Sequence, residues 1–295
     1  MKGFKMKEVR YRKDIRYFIE MVGMSSTGIG LVSVDGKYAL ILIPPSNSIA
    51  VVPPVGNKYP TFKEIVFYTN CLAYEHDLPA FIWPVRRRAL IRPIETGQAE
   101  CINDSYYQSL EMAYEAINSI RLGPLGYVNF RWPGYNKDVE VPYIKKYSRV
   151  AKELSLYSMA VRQIDPLSEF LCYYRVIESI TLSNGKEWIL KNLSRLVNYD
   201  FGFLEFGSDA LIGQHTQGTN VFSIYKIRAL KRMEELDNKL SERTIADYFY
   251  HENRCGIAHG KADIKEYDFG FNIEEISKDI YILKLLSRMA IEDKI

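Results

Sequence analysis

The sequence lacks the features that mark secreted and membrane-spanning proteins. Its four Cys residues are scattered and include no C-x-x-C pair, a usage typical of free thiols in a reducing compartment. No run approaches the ~18 consecutive apolar residues of a membrane span, and the opening stretch MKGFKMKEVRYRKD has no apolar core of a secretory signal. These absences predict a cytoplasmic protein that does not enter a membrane.

The sequence also has no strong excess of charge, no internal repeat and no low-complexity segment. The net charge is +3 and the pI is ≈ 8.4, whereas a domain-wide nucleic-acid footprint usually needs a pI above about 9. The charge therefore permits nucleic-acid binding without arguing for it. With 295 residues, 47% of them hydrophobic, the chain is a normal globular protein with room for two domains.

The first half shows the pattern of an α+β domain. Two β-rich runs within 29–43 meet at Asp35-Gly36, the strongest short-range signal of a hairpin. The run 49–55 predicts an edge strand, because its two prolines cannot donate to a central ladder. A further strand is predicted at 81–83.

Helical patterns follow in the same half. Thr61 and Glu64 form a capping box at a helix start, and a second helix is predicted from about 105 to 120. The Pro- and Gly-rich stretch 121–142 predicts a domain boundary, so the α+β domain covers 1–140. The apolar face predicted for the first helix consists of Phe62, Ile65, Val66, Leu72 and Ala73.

The second half, 148–295, shows helical periodicity throughout and predicts an all-α bundle. Asp165 and Pro166 predict a helix start, with Asp as the N-cap and Pro at the first helical position. Further helices are predicted over 186–197 and 220–240. The apolar stripes before Asp165, within 220–240 and in the last helix are, respectively, Val150, Leu154, Tyr157, Val161 and Ile164; Ile224, Ile227, Leu230, Met233, Leu236 and Leu240; and Ile276, Ile280, Leu283, Leu286 and Ala290.

One short segment, YHENRCGIAHGK, combines residues that can carry chemistry. Arg254 stands five positions before His259, and a Gly follows. The pattern has two interpretations: a helix end, since Gly and cationic side chains both suit that position, or a pair that handles RNA phosphate. A zinc site formed by His251, Cys255 and His259 is a weaker alternative, because three ligands on a drifting helical face do not complete a tetrahedral site.

In its setting, directly before a C-terminal amphipathic helix of a bundle, ENRCGIAHGK resembles the motif of the HEPN superfamily. Ribonucleases of that superfamily are marked by an Arg followed a few residues later by a His. The earlier helix PLSEFLCYYRVIES resembles the helix that precedes the motif in the MauJ-like and ApeA-like HEPN branch. The resemblance covers 148–295. The family often has Asn or His directly after the Arg, whereas here Cys255 follows and Asn253 precedes.

The resemblance implies a metal-independent endoribonuclease that uses no cofactor. It also implies that the enzyme belongs to a toxin or antiviral defence system. The ribose 2′-OH would attack the adjacent phosphate. His259 would move the proton as base or acid, and Arg254 would hold the phosphate and stabilise the charge of the transition state. The partners implied are RNA and a second copy of the chain, with the paired motifs lining a cleft between protomers. The domain over 1–140 would sense or position a ligand or protein partner.

Helix geometry independently raises the question of a dimer. Five residues along an α-helix span about 500°, so Arg254 and His259 would point about 140° apart. Either the helix loosens near Gly256, or a second copy completes the site. Four residues continue the apolar surface of the last helix beyond one stripe and predict a buried dimer face: Tyr281, Ile282, Leu285 and Met289.

Other residues are assigned supporting roles. Glu178 lies on the apolar stripe of its helix and therefore needs a cationic or hydrogen-bonding partner. It pairs with Arg254, or it pairs with Arg175 or extends to the edge of the bundle. Asn253 is a second supporting residue. Contacts to RNA are assigned to Arg175, His251 and Lys261. The basic runs 85–92 and 226–232 are interpreted as solvated faces or as phosphate contacts.

Two functions of other classes compete with the ribonuclease. One is a non-catalytic HEPN-like dimer that binds RNA or a protein partner. The other is a scaffold or accessory protein, as the name of the methylamine-utilisation branch suggests.

Overall fold

A computed structural model describes 16–22, 30–35, 38–43, 48–53, 56–84, 143–202, 220–240, 244–259 and 273–295. The strands are β1 (Tyr17–Met21), β2 (Gly30–Asp35), β3 (Tyr38–Ile43), β4 (Ser48–Val52) and β5 (Ala80–Pro84). The helices are α1 (Phe62–His76), α2 (Tyr143–Tyr147), α3 (Ala151–Val161), α4 (Pro166–Thr181), α5 (Lys186–Asn198), α6 (Val221–Lys239), α7 (Ile245–Asp247), a π-helix (Tyr248–Arg254), α8 (Cys255–His259) and α9 (Ile273–Glu292). A 3₁₀ turn, Ser148–Val150, joins α2 to α3.

The predicted order, an α+β region followed by an all-α bundle, is confirmed. The chain divides into two compact units. The second unit contains 149–206 and 217–295, together with 73–77, which are the last residues of α1 and the residue that follows it. The predicted helix at 105–120, the predicted boundary at 121–142 and the basic run 85–92 lie outside the described residues. Among the described helices, none has the length and apolarity needed to cross a membrane.

The first unit contains an antiparallel sheet with the strand order β2-β3-β4-β1-β5. The predicted hairpin is confirmed, with Asp35 opposite Tyr38. The predicted edge position of β4 is wrong, because β4 pairs with β3 on one side and β1 on the other. The strand ends at Val52 and Pro53 follows it, so the prolines are not required to donate to the ladder.

The capping box that begins α1 is also confirmed. The backbone N–H of Thr61 donates to Glu64 Oε2 at 2.8 Å, and the Glu64 N–H donates to Thr61 Oγ1 at 3.3 Å. Ile65, Leu72 and Ala73 are buried as predicted, but Phe62 is exposed. Phe62 is the first residue of the helix and lies at the outer end of the predicted apolar face.

Helix α9 is the centre of the bundle and packs against α3, α4, α5 and α6. Its predicted stripe is buried, but so is the face that the sequence left for a partner: Ile282, Leu285 and Met289 are each 0% exposed within one chain. The prediction that this face is free to bury a second copy is therefore wrong for these three residues; Tyr281, the fourth, is half-buried. A helix surrounded on most sides by its own bundle needs apolar residues beyond one stripe.

Two more residues of the predicted stripes are exposed. Ile164 lies beyond the end of α3 at Val161 and is almost fully solvent-accessible. Ile227 is 67% exposed, because the buried face of α6 runs through Phe222, Ala229 and Leu236. Arg232 also lies on this buried face of α6. The basic run 226–232 is therefore not exposed to solvent along its whole length.

Asp165 is the N-cap of α4, as predicted, with Pro166 at the first position. Its carboxylate accepts from the N–H groups of Leu167 at 3.4 Å and Ser168 at 2.9 Å. The hydroxyl of Ser168 also donates to it at 2.7 Å and lowers the pKa of Asp165.

Replacing Asp165 by Ala should reduce the free energy of unfolding by about 1 kcal/mol, because two N–H groups lose their acceptor. Urea denaturation followed by circular dichroism measures this loss. The difference from wild type should shrink as the pH falls through the lowered pKa of Asp165, since protonation weakens the native cap. Asp237→Ala, at an exposed position near the end of α6, is the control and should show no such loss; equal losses in both variants would contradict the assignment.

Candidate functional site

The Arg254–His259 segment does not lie on one continuous α-helix. A short α-helix, Ile245–Asp247, passes into the π-helix Tyr248–Arg254 and then into the α-helix Cys255–His259. The N–H of Cys255 donates to the carbonyl of Tyr250, five residues back. The helix is therefore widened directly before Arg254, not near Gly256, and the residues from 255 to 259 are α-helical.

A buried carboxylate on α9 contacts both ends of the π-helix. Asp279 is 0% exposed, and its Oδ2 atom accepts from Tyr248 Oη and from Asn253 Nδ2, each at 2.9 Å. Its Oδ1 atom accepts from Arg232 Nε at 2.7 Å. We call Asp279, Arg232, Tyr248 and Asn253 the Asp279 cluster. It joins α6, the π-helix and α9 inside the bundle.

The electrostatics of the cluster follow from its burial. Desolvation raises the pKa of Asp279 to about 6, although its three donors all favour the carboxylate. Burial lowers the pKa of Arg232, but Asp279 and Glu275 outweigh this and raise it above its ordinary value. Glu275 accepts from Arg232 Nη2 at 2.9 Å and from Lys239 at 3.3 Å. These cations outweigh partial burial and lower the pKa of Glu275 to about 2.

Arg254 pairs with Glu178 on α4, and this predicted pairing is confirmed. Arg254 Nε donates to Glu178 Oε1 at 3.1 Å, and the two side chains are 26% and 20% exposed. Partial burial lowers the pKa of the guanidinium, but Glu178 and the neighbouring Cys255 raise it above its ordinary value. The alternative partner of Glu178, Arg175, is exposed on the same helix.

The remaining predicted residues fall into separate places. Asn253 is buried and belongs to the Asp279 cluster, so its side chain binds another residue of the bundle and does not face solvent. His251 is exposed, with its ring edge-on to Tyr250 at 4.7 Å between centroids. His259 is the last residue of α8, but its side chain, like all of Lys261, lies outside the described part. The structure thus brings Arg254 and Glu178 together and leaves the imidazole of His259 undescribed.

Sequence reasoning missed Asp279, although the signal was present. Asp279 stands three residues after Ile276 and four before Leu283, in the middle of the apolar stripe of α9. The same rule identified Glu178: a carboxylate on a stripe facing the core requires a partner. Arg232 was missed because it was counted with an exposed basic run.

No group of three or more His, Cys, Asp or Glu in the described ranges is arranged to hold a metal ion.

Part of the bundle matches a known protein family. Residues 154–292, from α3 to α9, match the family described as "Methylamine utilization protein MauJ". The match contains Glu178, Arg254 and Asp279. Comparison with curated proteins and with solved structures gave no match.

Glu178→Gln should make Arg254 more reactive towards phenylglyoxal while the fold persists. The amide keeps the shape of the carboxylate but removes the charge that raises the pKa of Arg254, so more of the reactive neutral guanidine is present. Stability should change by less than about 1 kcal/mol, because the pair is partly exposed. Mass spectrometry of the modified peptide gives the rate.

The matched control is Glu187→Gln, on an exposed part of α5, which should leave the rate at Arg254 unchanged. Glu178→Leu should raise the rate as Gln does and leave the bundle folded, since apolar packing often replaces an ion pair without loss. An unchanged rate in both Glu178 variants would show that the two residues are not coupled in solution.

Proposed function

We propose that the protein is a metal-independent endoribonuclease of the HEPN type that cuts RNA through attack by the ribose 2′-OH. The observation that carries the proposal is the Glu178–Arg254 pair. It holds a partly exposed guanidinium on the segment whose Arg-His spacing resembles the HEPN motif. The family match over 154–292 supports a common origin of this bundle and the MauJ family. The description of that family names no enzymatic activity.

The reaction requires a phosphate contact and a proton carrier. Arg254 binds the scissile phosphate, because a guanidinium presents a planar fork of donors that fits phosphate oxygens. His259 takes the proton of the 2′-OH or delivers one to the 5′-oxygen, since imidazole titrates near neutral pH. A bond forms between the 2′-oxygen and phosphorus as the bond to the 5′-oxygen breaks. The products are a 2′,3′-cyclic phosphate and a 5′-OH.

The same proposal requires two chains. The backbone from 255 to 259 is α-helical, so positions 254 and 259 lie about 140° apart around the helix axis. We therefore place Arg254 of one protomer opposite His259 of its partner. Because α9 is buried within its own bundle, the contact is made by the surface that carries α8 and the exposed side of the π-helix. Arg175, His251 and Lys261 then contact RNA beyond the scissile phosphate.

The description of the matched family, which refers to methylamine utilisation, favours a second function. In this second function the protein is an accessory protein and does not cleave RNA. In that case the bundle would use the same surface for a protein partner. The two functions differ in a direct assay, because an accessory protein leaves RNA intact.

Cleavage of total RNA by the purified protein should continue in excess EDTA, because the reaction uses side chains alone. Sequencing that selects for the chemistry of the ends should find 2′,3′-cyclic phosphate and 5′-OH. Arg254→Ala and His259→Ala should each abolish cleavage, and Arg195→Ala, which changes an exposed arginine paired with Asp293, should not. Activity that returns only with added Mg²⁺ or Mn²⁺ would overturn the mechanism.

Light scattering should give the mass of a dimer, about twice 34.2 kDa. Separately inactive Arg254→Ala and His259→Ala protomers, mixed under conditions that allow exchange, should recover about a quarter of wild-type activity. Random exchange makes half of the dimers mixed, and each mixed dimer contains one complete site, whereas a wild-type dimer contains two. A monomer with wild-type cleavage, or a mixture as inactive as its components, would contradict a shared site.

A further inference from the structure

Two side chains five residues apart on the motif's helix bind one and the same oxygen. Tyr248 Oη and Asn253 Nδ2 both lie 2.9 Å from Asp279 Oδ2. On an α-helix, residues five apart point about 140° away from each other and do not converge on one atom. In a helix with hydrogen bonds from i to i+5 they lie one turn apart on the same face. The shared acceptor therefore fits the π-helical form and not the α-helical one.

Asp279 is a rigid point for this contact. Its second oxygen is held by Arg232 Nε at 2.7 Å, and Arg232 is itself held by Glu275. The carboxylate lies on the central helix of the bundle and has no exposed surface. It cannot turn away without leaving Arg232 buried and without its closest counter-charge, which is strongly unfavourable.

Arg254 is the residue directly after Asn253 and the last of the π-helix. The hydrogen bond of a π-helix spans one residue more than that of an α-helix, five instead of four. If the segment became α-helical, Arg254 would rotate by about 100°, the angle of one residue, away from its partner on α4. The direction of the guanidinium therefore depends on the form of the segment before it.

We propose that Asp279 is a positioning residue: by holding Tyr248 and Asn253 on one face it keeps the segment before Arg254 π-helical and so directs Arg254 to Glu178. The effect on RNA cleavage rests on the proposed function, whereas the effect on the Arg254–Glu178 contact does not. Widened helical turns of this kind occur frequently at functional sites.

The test removes the two donors and leaves the buried ion pair intact. In the double variant Tyr248→Phe/Asn253→Ala, Asp279 still pairs with Arg232, so we expect a folded but less stable bundle, because one buried oxygen loses its two donors. Circular dichroism and thermal unfolding verify that the variant is folded at the assay temperature. The phenylglyoxal rate at Arg254 should rise to the level of Glu178→Gln. Adding Glu178→Gln to the double variant should raise it no further, because both changes remove the same contact. A merely structural role predicts independent, additive effects.

Asp279→Asn is the second variant, with Asp293→Asn, the same substitution at an exposed ion pair, as its matched control. Asp279→Asn should raise the rate at Arg254, and Asp293→Asn should not. If the wild type cuts RNA, the double variant should lose about 10-fold to 100-fold in kcat with little change in KM, as expected for a misdirected transition-state contact.

The outcomes separate the two claims. A wild-type protein that does not cut RNA, but whose double variant shows the raised and non-additive rate at Arg254, removes the ribonuclease and keeps the positioning role. A folded double variant with the wild-type rate at Arg254 overturns the positioning role, whatever the protein does to RNA.

Discussion

The contact between Asp279 and Arg232 joins α6 to α9 and holds in place the carboxylate that binds the π-helix. A carboxylate without exposed surface is tolerated only when charges and donors surround it, and here Arg232, Tyr248 and Asn253 do so. Loss of one member of a buried pair typically costs about 3–5 kcal/mol, whereas replacing the whole pair by apolar residues is often neutral. Stability alone therefore does not require the cluster. A cluster that also determines the direction of Arg254 has a reason to be polar.

The burial of α9 limits where another molecule can bind. Because nearly all of its side chains between Ile276 and Ile291 are buried, α9 acts as the core of the bundle and not as a docking surface. The polar residues of the candidate site that are exposed or half-buried lie instead at the edge of the bundle, on α4 and on the segment from the π-helix to α8. These residues pack on the apolar core of the bundle. Asp279 connects the core helix α9 to the π-helix through its hydrogen bonds with Tyr248 and Asn253.

Local sequence signals predicted the elements that depend on local chemistry. The capping box at Thr61 and Glu64, the N-cap at Asp165 and the hairpin at Asp35 all act between near neighbours in sequence. The position of β4 within the sheet depends on its pairing with β1, a strand that the sequence analysis did not predict, and so it was predicted wrongly. Ile164 and Ile227 fit a helical period, but periodicity does not specify which stripe meets the core. The π-helix was not predicted because every stripe was counted at 3.6 residues per turn.

The spacing of five residues occurs twice in succession on this segment, and the helix treats the two pairs differently. Tyr248 and Asn253 lie in the π-helix and converge on one oxygen inside the bundle. From Cys255 to His259 the backbone is α-helical, so positions 254 and 259 lie about 140° apart around the helix axis. The wide turn thus serves the interior of the bundle. In the proposed site a second copy of the chain supplies the His259 that acts with Arg254. The internal order of the bundle and the need for a partner would then have the same origin, the residue at which the π-helix gives way to the α-helix.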